Sequence, residues 1–135
     1  MNALVNLEQS LAQLDPRIVG TYVFETVDSI PSGVQPFAII HEDEGTTIVV
    51  DQEDAAGAEL PATVPFARIS LGAFTSLNAV GITATIAQTL ASRDIPCNVI
   101  AGFHHDHLFV PVSRAAEAMR LLAGLSSQAE GWLGR

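Results

Sequence analysis

The sequence predicts an α+β fold, an antiparallel sheet with helices on one face, assembled from two interlocked halves. Three observations predict it. Strand-like runs of β-branched and aromatic residues recur from TYVFETV in the first half to HLFVPV in the second. One long segment, SLNAVGITATIAQTLASRD (76–94), carries apolar residues at helical spacing. The halves also rhyme, since IIHEDEGTTIVVDQEDAAGA and AGFHHDHLFVPVSRAAEAMR each read as strand, polar corner, strand and helix start.

In chain order, LVNLEQSLAQL (4–14) places Leu4, Leu7, Leu11 and Leu14 at helical spacing, and Pro16 stops that helix. IVGTYVFETV (18–27) is a strand, and DSIPSGVQP (28–36), with two prolines and a glycine, is a loop. FAIIHE and TTIVVD flank an Asp-Glu-Gly corner in which Gly45 supplies the positive φ of a tight hairpin. QEDAAGAEL (52–60) reads as a short helix with acids in its first turn, where the helix dipole favours them. PATVP (61–65) is a stiff connector.

The second half opens with the strand FARISLG (66–72). In the helix predicted over 76–94, Ser76 is the N-cap. Leu77, Ala79, Val80, Ile82, Ala84, Ile86, Ala87, Leu90 and Ala91 cover one broad arc. Within it, Val80, Ala84, Ala87 and Ala91 form a small-residue edge open to a second helix or a neighbouring subunit. Pro96 ends the segment, CNVIAGF begins a buried strand and HLFVPV (107–112) returns beside it. SRAAEAMRLLAGLSSQ closes as a helix with Ala115, Ala118, Leu122 and Leu125 inward, and 129–135, with Trp132, is a tail beyond it. The second half is therefore β-α-β-β-α, most of a ferredoxin-like unit. The first is a reduced version with a loop in place of its first helix. The expected units are 1–62 and 63–128, each needing strands from the other.

Composition narrows the function. Of 135 residues, 48 % are apolar and 16 % charged, which suits a packed core and argues against disorder. Fifteen acids against six bases give a net charge of −9 with no basic cluster, so neither nucleic acid nor an anionic membrane is an expected partner. A lone Cys97 fits a reducing cytoplasm, and the N-terminus lacks a basic-then-apolar leader. Cys97, in an apolar context far along the strand from any base, is expected to be buried and inert.

The stretch HHDH (104–107) invites a metal or catalytic reading. Neighbours on a strand point to opposite faces, so His104 and His105 do not converge. A corner at His105-Asp106 would set His104 across from His107, two donors where a metal needs three or four. His41 is the one other histidine. No metal, cofactor or catalytic group is therefore expected, and the stretch is read as a hairpin corner with a recognition role. Phosphate-loop and nucleophile-elbow patterns do not occur. Serine chemistry would need a Ser beside a His, which a sequence does not reveal.

SLNAVGITA and CNVIAGFHHDHLFVPV resemble the ACT domain family, in bacterial proteins that carry two such units in tandem. The resemblance is strong over 66–125 and thinner over 18–58. It implies a non-catalytic small-molecule sensor, most often for amino acids; the incomplete strand set of each half and the Val80, Ala84, Ala87 and Ala91 edge add the expectation of a homodimer or larger homo-oligomer. It also implies that Asp106 contacts a ligand's cationic group, with Phe103 and His105 as neighbours. The loop GAFTS departs from the Asp-x-Pro-Gly turn of many amino-acid-binding members. An amino acid's carboxylate would then sit on first-turn N–H groups at Leu77, Asn78 and Ala79, close to Gly81, with its ammonium near Asp106. The alternatives are a ligand-free oligomerisation scaffold or, third, an enzyme or metal site using the HHDH corner. As a strand-end corner, Asp106 is expected to be largely solvated.

Overall fold

A computed structural model of the chain describes residues 3–73, 77 and 79–134, the side chains of 3–5 excepted. Helix α1 (Ala3–Ala12) directs Leu7 and Leu11 toward the core, and Leu14 follows, fully buried. Strand β1 (Pro16–Val27) leads through the proline-rich loop to the hairpin of β2 (Ala38–Glu42) and β3 (Gly45–Asp51). Asp51 then caps α2 (Gln52–Gly57), its carboxylate accepting the Glu53 N–H at 2.9 Å. The second half contributes β4 (Phe66–Leu71), α3 (Ile82–Ala91), β5 (Asn98–Ala101) and β6 (Asp106–Pro111). A single 3-10 turn (Val112–Arg114) enters α4 (Ala115–Leu133).

All six strands form one antiparallel sheet in the order β2-β3-β1-β4-β6-β5. The order is symmetric about its centre: β1 answers β4, β3 answers β6 and β2 answers β5. The two halves meet where β1 pairs with β4, Tyr22 opposite Phe66 and Ile18 opposite Ile69. Each half supplies three strands to the shared sheet.

Register assigns the faces. Ala67, Ile69 and Leu71 of β4 and Leu108 and Val110 of β6 pack against Leu14, Ile82, Ile86, Leu90, Ala118 and Leu122. On the same side in the first half, Val23, Ile48 and Val50 pack against Ala55 of α2. The helices thus cover one face, as alternating apolar positions on the strands require.

The opposite face is filled by rings. Phe109 of β6 has no exposed surface and meets Tyr22, Phe24 and Phe37 at centroid distances of 6.1, 5.3 and 6.0 Å. Phe37 immediately precedes β2, whereas Phe109 lies on β6, four strand positions away. In a flat sheet four steps of ~4.8 Å would separate them by about 19 Å. Their contact means that the sheet curls, with its helix-free face concave and the 28–37 loop delivering Phe37 into the curl.

Two features differ from the sequence reading. The second-half helix begins at Ile82 rather than near 76, because Gly81, at φ 97°, is its N-cap in the left-handed region. Leu77 and Val80, expected on the buried arc, precede the helix and are 63 % and 78 % exposed. Of the small-residue edge, Ala84 and Ala91 are exposed and Ala87 is half-buried; the inward positions are Ile82, Ile86 and Leu90, whose larger side chains gain more from burial. Ser76 and Asn78 lie outside the described residues, as does the side chain of Leu4. The second difference is the tail. Helix α4 continues to Leu133, with Ala129 buried, and Trp132 lines a cavity of about 540 Å³ with Glu8, Leu11, Thr85 and Leu125.

Gly81 is needed for its backbone angle, and a Cβ there would also meet Leu7 at 3.4 Å. Gly81→Ala is expected to lower stability by about 1–2 kcal/mol, the penalty of a side chain in the left-handed region, and Gly81→Asn by less. Chemical denaturation of both variants checks this. An alanine variant as stable as the parent would mean that the turn rearranges freely.

Candidate functional site

Three connections converge at one end of the helix-covered face. The α1–β1 turn holds the exit of β4: Gly72 N–H donates to the Asp15 carbonyl at 2.9 Å and Ala73 N–H to the Leu14 carbonyl at 3.4 Å. A Cβ on Gly72 would lie 2.5 Å from the Asp15 carboxylate, so only glycine allows this approach. Asp15 itself pairs with Arg17 at 3.1 Å. The β5–β6 hairpin is fastened to the same segment by His105, whose Nδ1 lies 3.3 Å from the Ala73 carbonyl.

The hairpin corner is wider than the sequence reading placed it. Ala101 pairs with Asp106, so the loop is Gly102–His105, closed by Gly102 N–H donating to the His105 carbonyl at 2.9 Å. His104 therefore lies in the loop and is not the cross-strand partner of His107. Among the described residues no three His, Cys, Asp or Glu side chains gather at one point. Phe103 and His105 are exposed at the loop.

Asp106 corrects the expectation most. It opens β6 with its side chain on the helix-covered face and is only 7 % exposed, not a solvated corner. Burial pushes its carboxyl above the ordinary carboxylate value. Among the described residues no cation lies within 4.0 Å of it; their ion pairs are Arg17–Asp15 and Arg114–Glu117. An acid drawn from water without a counter-charge attracts any cation that reaches it. The first-turn N–H groups that α3 presents are those of Ile82, Thr83 and Ala84, whereas Leu77 and Ala79 precede the helix and Asn78 lies outside the described residues.

The next residue on β6, His107, points to the concave face. Its Nδ1 lies 2.8 Å from Ser70 Oγ and 3.4 Å from an Arg68 terminal nitrogen. Sequence reasoning missed this Ser–His contact, because it is made by pairing two strands far apart in the chain. Proton transfer to Nδ1 would create an imidazolium against the Arg68 guanidinium, and burial, Arg68 and His105 together hold the His107 pKa below its usual value. Cys97 is half-buried with its thiol pushed up to about 11 by burial, which fits the inert role expected of it.

A depressed histidine has a defined linkage. Its contribution to stability is present above the unfolded value of ~6.5 and is lost as pH falls through the lower folded value. The wild type should therefore lose stability on mild acidification below ~6.5, and His107→Asn should lose less over the same interval. Parallel slopes in denaturation at several pH values would remove His107 as the cause.

A tandem of three-stranded units sharing one sheet, with helices on one face, defines the class of this molecule. The chain belongs to the ACT domain family: one ACT domain model matches residues 3–67 and a second matches 67–124. Among solved structures it is similar to a Vibrio cholerae protein of unknown function described as a possible transport protein. The two are 36 % identical over 93 % of this chain and 99 % of that one, with a TM-score of 0.81. An Agrobacterium tumefaciens protein shares the fold at 19 % identity, covering 84 % and 90 % of the two chains, with a TM-score of 0.69. The ligand-free regulatory subunit of aspartate kinase from Thermus thermophilus shares it at 14 % identity, over 81 % and 98 %, with a TM-score of 0.56. No curated relative matches the chain. Among the described residues no helix is long and apolar enough to cross a membrane.

Proposed function

We propose that this chain is a non-catalytic regulatory module of the cytoplasm that binds a small molecule, an amino acid, where the β4–α3 connection meets the β5–β6 hairpin. One observation carries the reading: Asp106 is a buried carboxylate with no cation beside it among the described residues. A ligand's ammonium or guanidinium supplies the missing charge. The ligand's carboxylate takes the first-turn N–H groups of α3 at Ile82, Thr83 and Ala84, where the helix dipole favours an anion. Gly81 sets the angle at which that helix starts. Phe103 and His105 border the ligand from the hairpin, and Leu77 and Ala79 border it from the β4–α3 connection.

The working form is a homo-oligomer. Exposed Leu77, Val80 and Phe103 lie near the proposed site, and strands β2 and β5 leave both sheet edges unpaired within the chain. Light scattering at micromolar concentration should report a dimer or larger, and a strict monomer would remove this part of the reading.

A thermal-shift screen of the twenty amino acids tests the ligand. A binder of the native state at a hundredfold excess over its Kd adds about 2.7 kcal/mol of apparent stability. If no amino acid moves the transition while the protein is oligomeric, a ligand-free scaffold becomes the better account.

A further inference from the structure

We propose that the concave, helix-free face of the sheet carries a second site, built around Arg68, for a small oxyanion: a carboxylate or phosphate group. It lies on the opposite side of the sheet from Asp106 and owes nothing to the amino-acid reading.

Arg68 projects from β4 into the curl. Its guanidinium carbon sits 3.7 Å from the centre of the Phe37 ring and 5.3 Å from that of Tyr22. One terminal nitrogen donates to the Tyr22 hydroxyl at 2.9 Å, and the other faces His107 Nδ1 at 3.4 Å. Nε is buried and has no hydrogen-bond partner among the described residues. A guanidinium carries five N–H donors, so more than half of its capacity is unspent on the protein.

The counter-charge is missing as well. The chain has fifteen acids and six bases, yet among the described residues no carboxylate lies within 4.0 Å of this arginine. Asp51, opposite Tyr22 in the register, is engaged instead at the start of α2. A cation half-withdrawn from water among rings, in a chain with acids to spare, is an arrangement that an incoming anion completes.

The form of the site also fits. With Phe37 stacked on a face of the guanidinium, an oxyanion would approach it in its plane, where oxygens of a carboxylate or phosphate bind side by side. His107 adds no competing cation. The Arg68 guanidinium can only donate, so a contact with it makes Nδ1 the acceptor and leaves the proton of the neutral ring on Nε2.

The test uses isotope-labelled wild-type protein. The Arg68 Nε–H and His107 ring signals are followed by NMR while sodium acetate, and separately sodium phosphate, replaces sodium chloride at constant ionic strength. The expected result is a saturable shift of both signals, with backbone changes centred on residues 22, 37, 68, 70 and 107 and a rise in the His107 pKa. Response to acetate alone identifies a carboxylate site, to phosphate alone a phosphate site, and to both a general oxyanion site. Non-saturating shifts equal to those in chloride, or changes centred elsewhere, overturn the proposal. Arg68→Met should abolish the saturable response at His107, and should that variant not fold, the wild-type map still decides.

Discussion

Replacing Phe109 with alanine is expected to remove about 3–5 kcal/mol of stability, the range for a fully buried phenylalanine. Phe109 belongs to the second half, but the rings around it, Tyr22, Phe24 and Phe37, all come from the first. Its removal should therefore loosen both halves together. Denaturation at a fixed protein concentration should show one transition at a lower midpoint, followed alike by Trp132 fluorescence and by circular dichroism. A loss under ~1 kcal/mol would mean that the ring cluster relaxes around the gap. Two separated transitions would mean that the shared sheet is not the cooperative unit.

Asp106→Asn should move two properties in opposite directions. Binding of the amino acid found by the screen should weaken by ~1.5–3 kcal/mol, the range for a hydrogen bond to a charged group. That is roughly tenfold to 150-fold in Kd. The unliganded variant should be more stable than wild type at neutral pH, because it no longer buries an unpaired charge. The sign follows from the direction of the shift. A carboxyl whose folded pKa is raised contributes its stability below the unfolded value of ~3.9 and loses it as pH rises through the folded value. The variant's advantage should thus be absent in strong acid, grow across that window and then stay level. Calorimetry and denaturation across pH read both quantities. Unchanged affinity would move the ligand away from the hairpin, and a less stable variant at neutral pH would show that Asp106 has a partner in solution.

The strands and helices were legible because their periodicities are local. TTIVVD and FARISL alternate or run apolar as half-covered strands do, and the inward positions of α4 follow from spacing alone. The start of α3 was not legible. An apolar run across Leu77, Ala79 and Val80 looks helical, but Gly81 takes a backbone angle that pattern cannot express. The same holds for the end of α4, where Ser126 donates to the Ala12 carbonyl at 2.9 Å and Ala129 packs inward although polar residues and glycine dominate that stretch. At the site, the resemblance singled out Asp106, whereas its burial comes from tertiary packing, which sequence pattern does not express. The Arg68–His107–Ser70 cluster left no sequence signal, since register alone brings β4 and β6 side by side.

The pairing of β1 with β4 has a consequence for how the chain is made. During synthesis the β2–β3 hairpin can close as soon as it emerges, because its partners are neighbours in sequence. β1 then has β3 on one side and a bare edge on the other until residues 66–71 appear. Over that interval Phe24 also waits for Phe66 and Phe109. A nascent first half is thus a three-stranded sheet with an open edge, whose side chains make the same pairing with a β4 from another chain as with its own. Exchanged dimers, each completing its sheet with the other's second half, are the misassembly that this topology is open to.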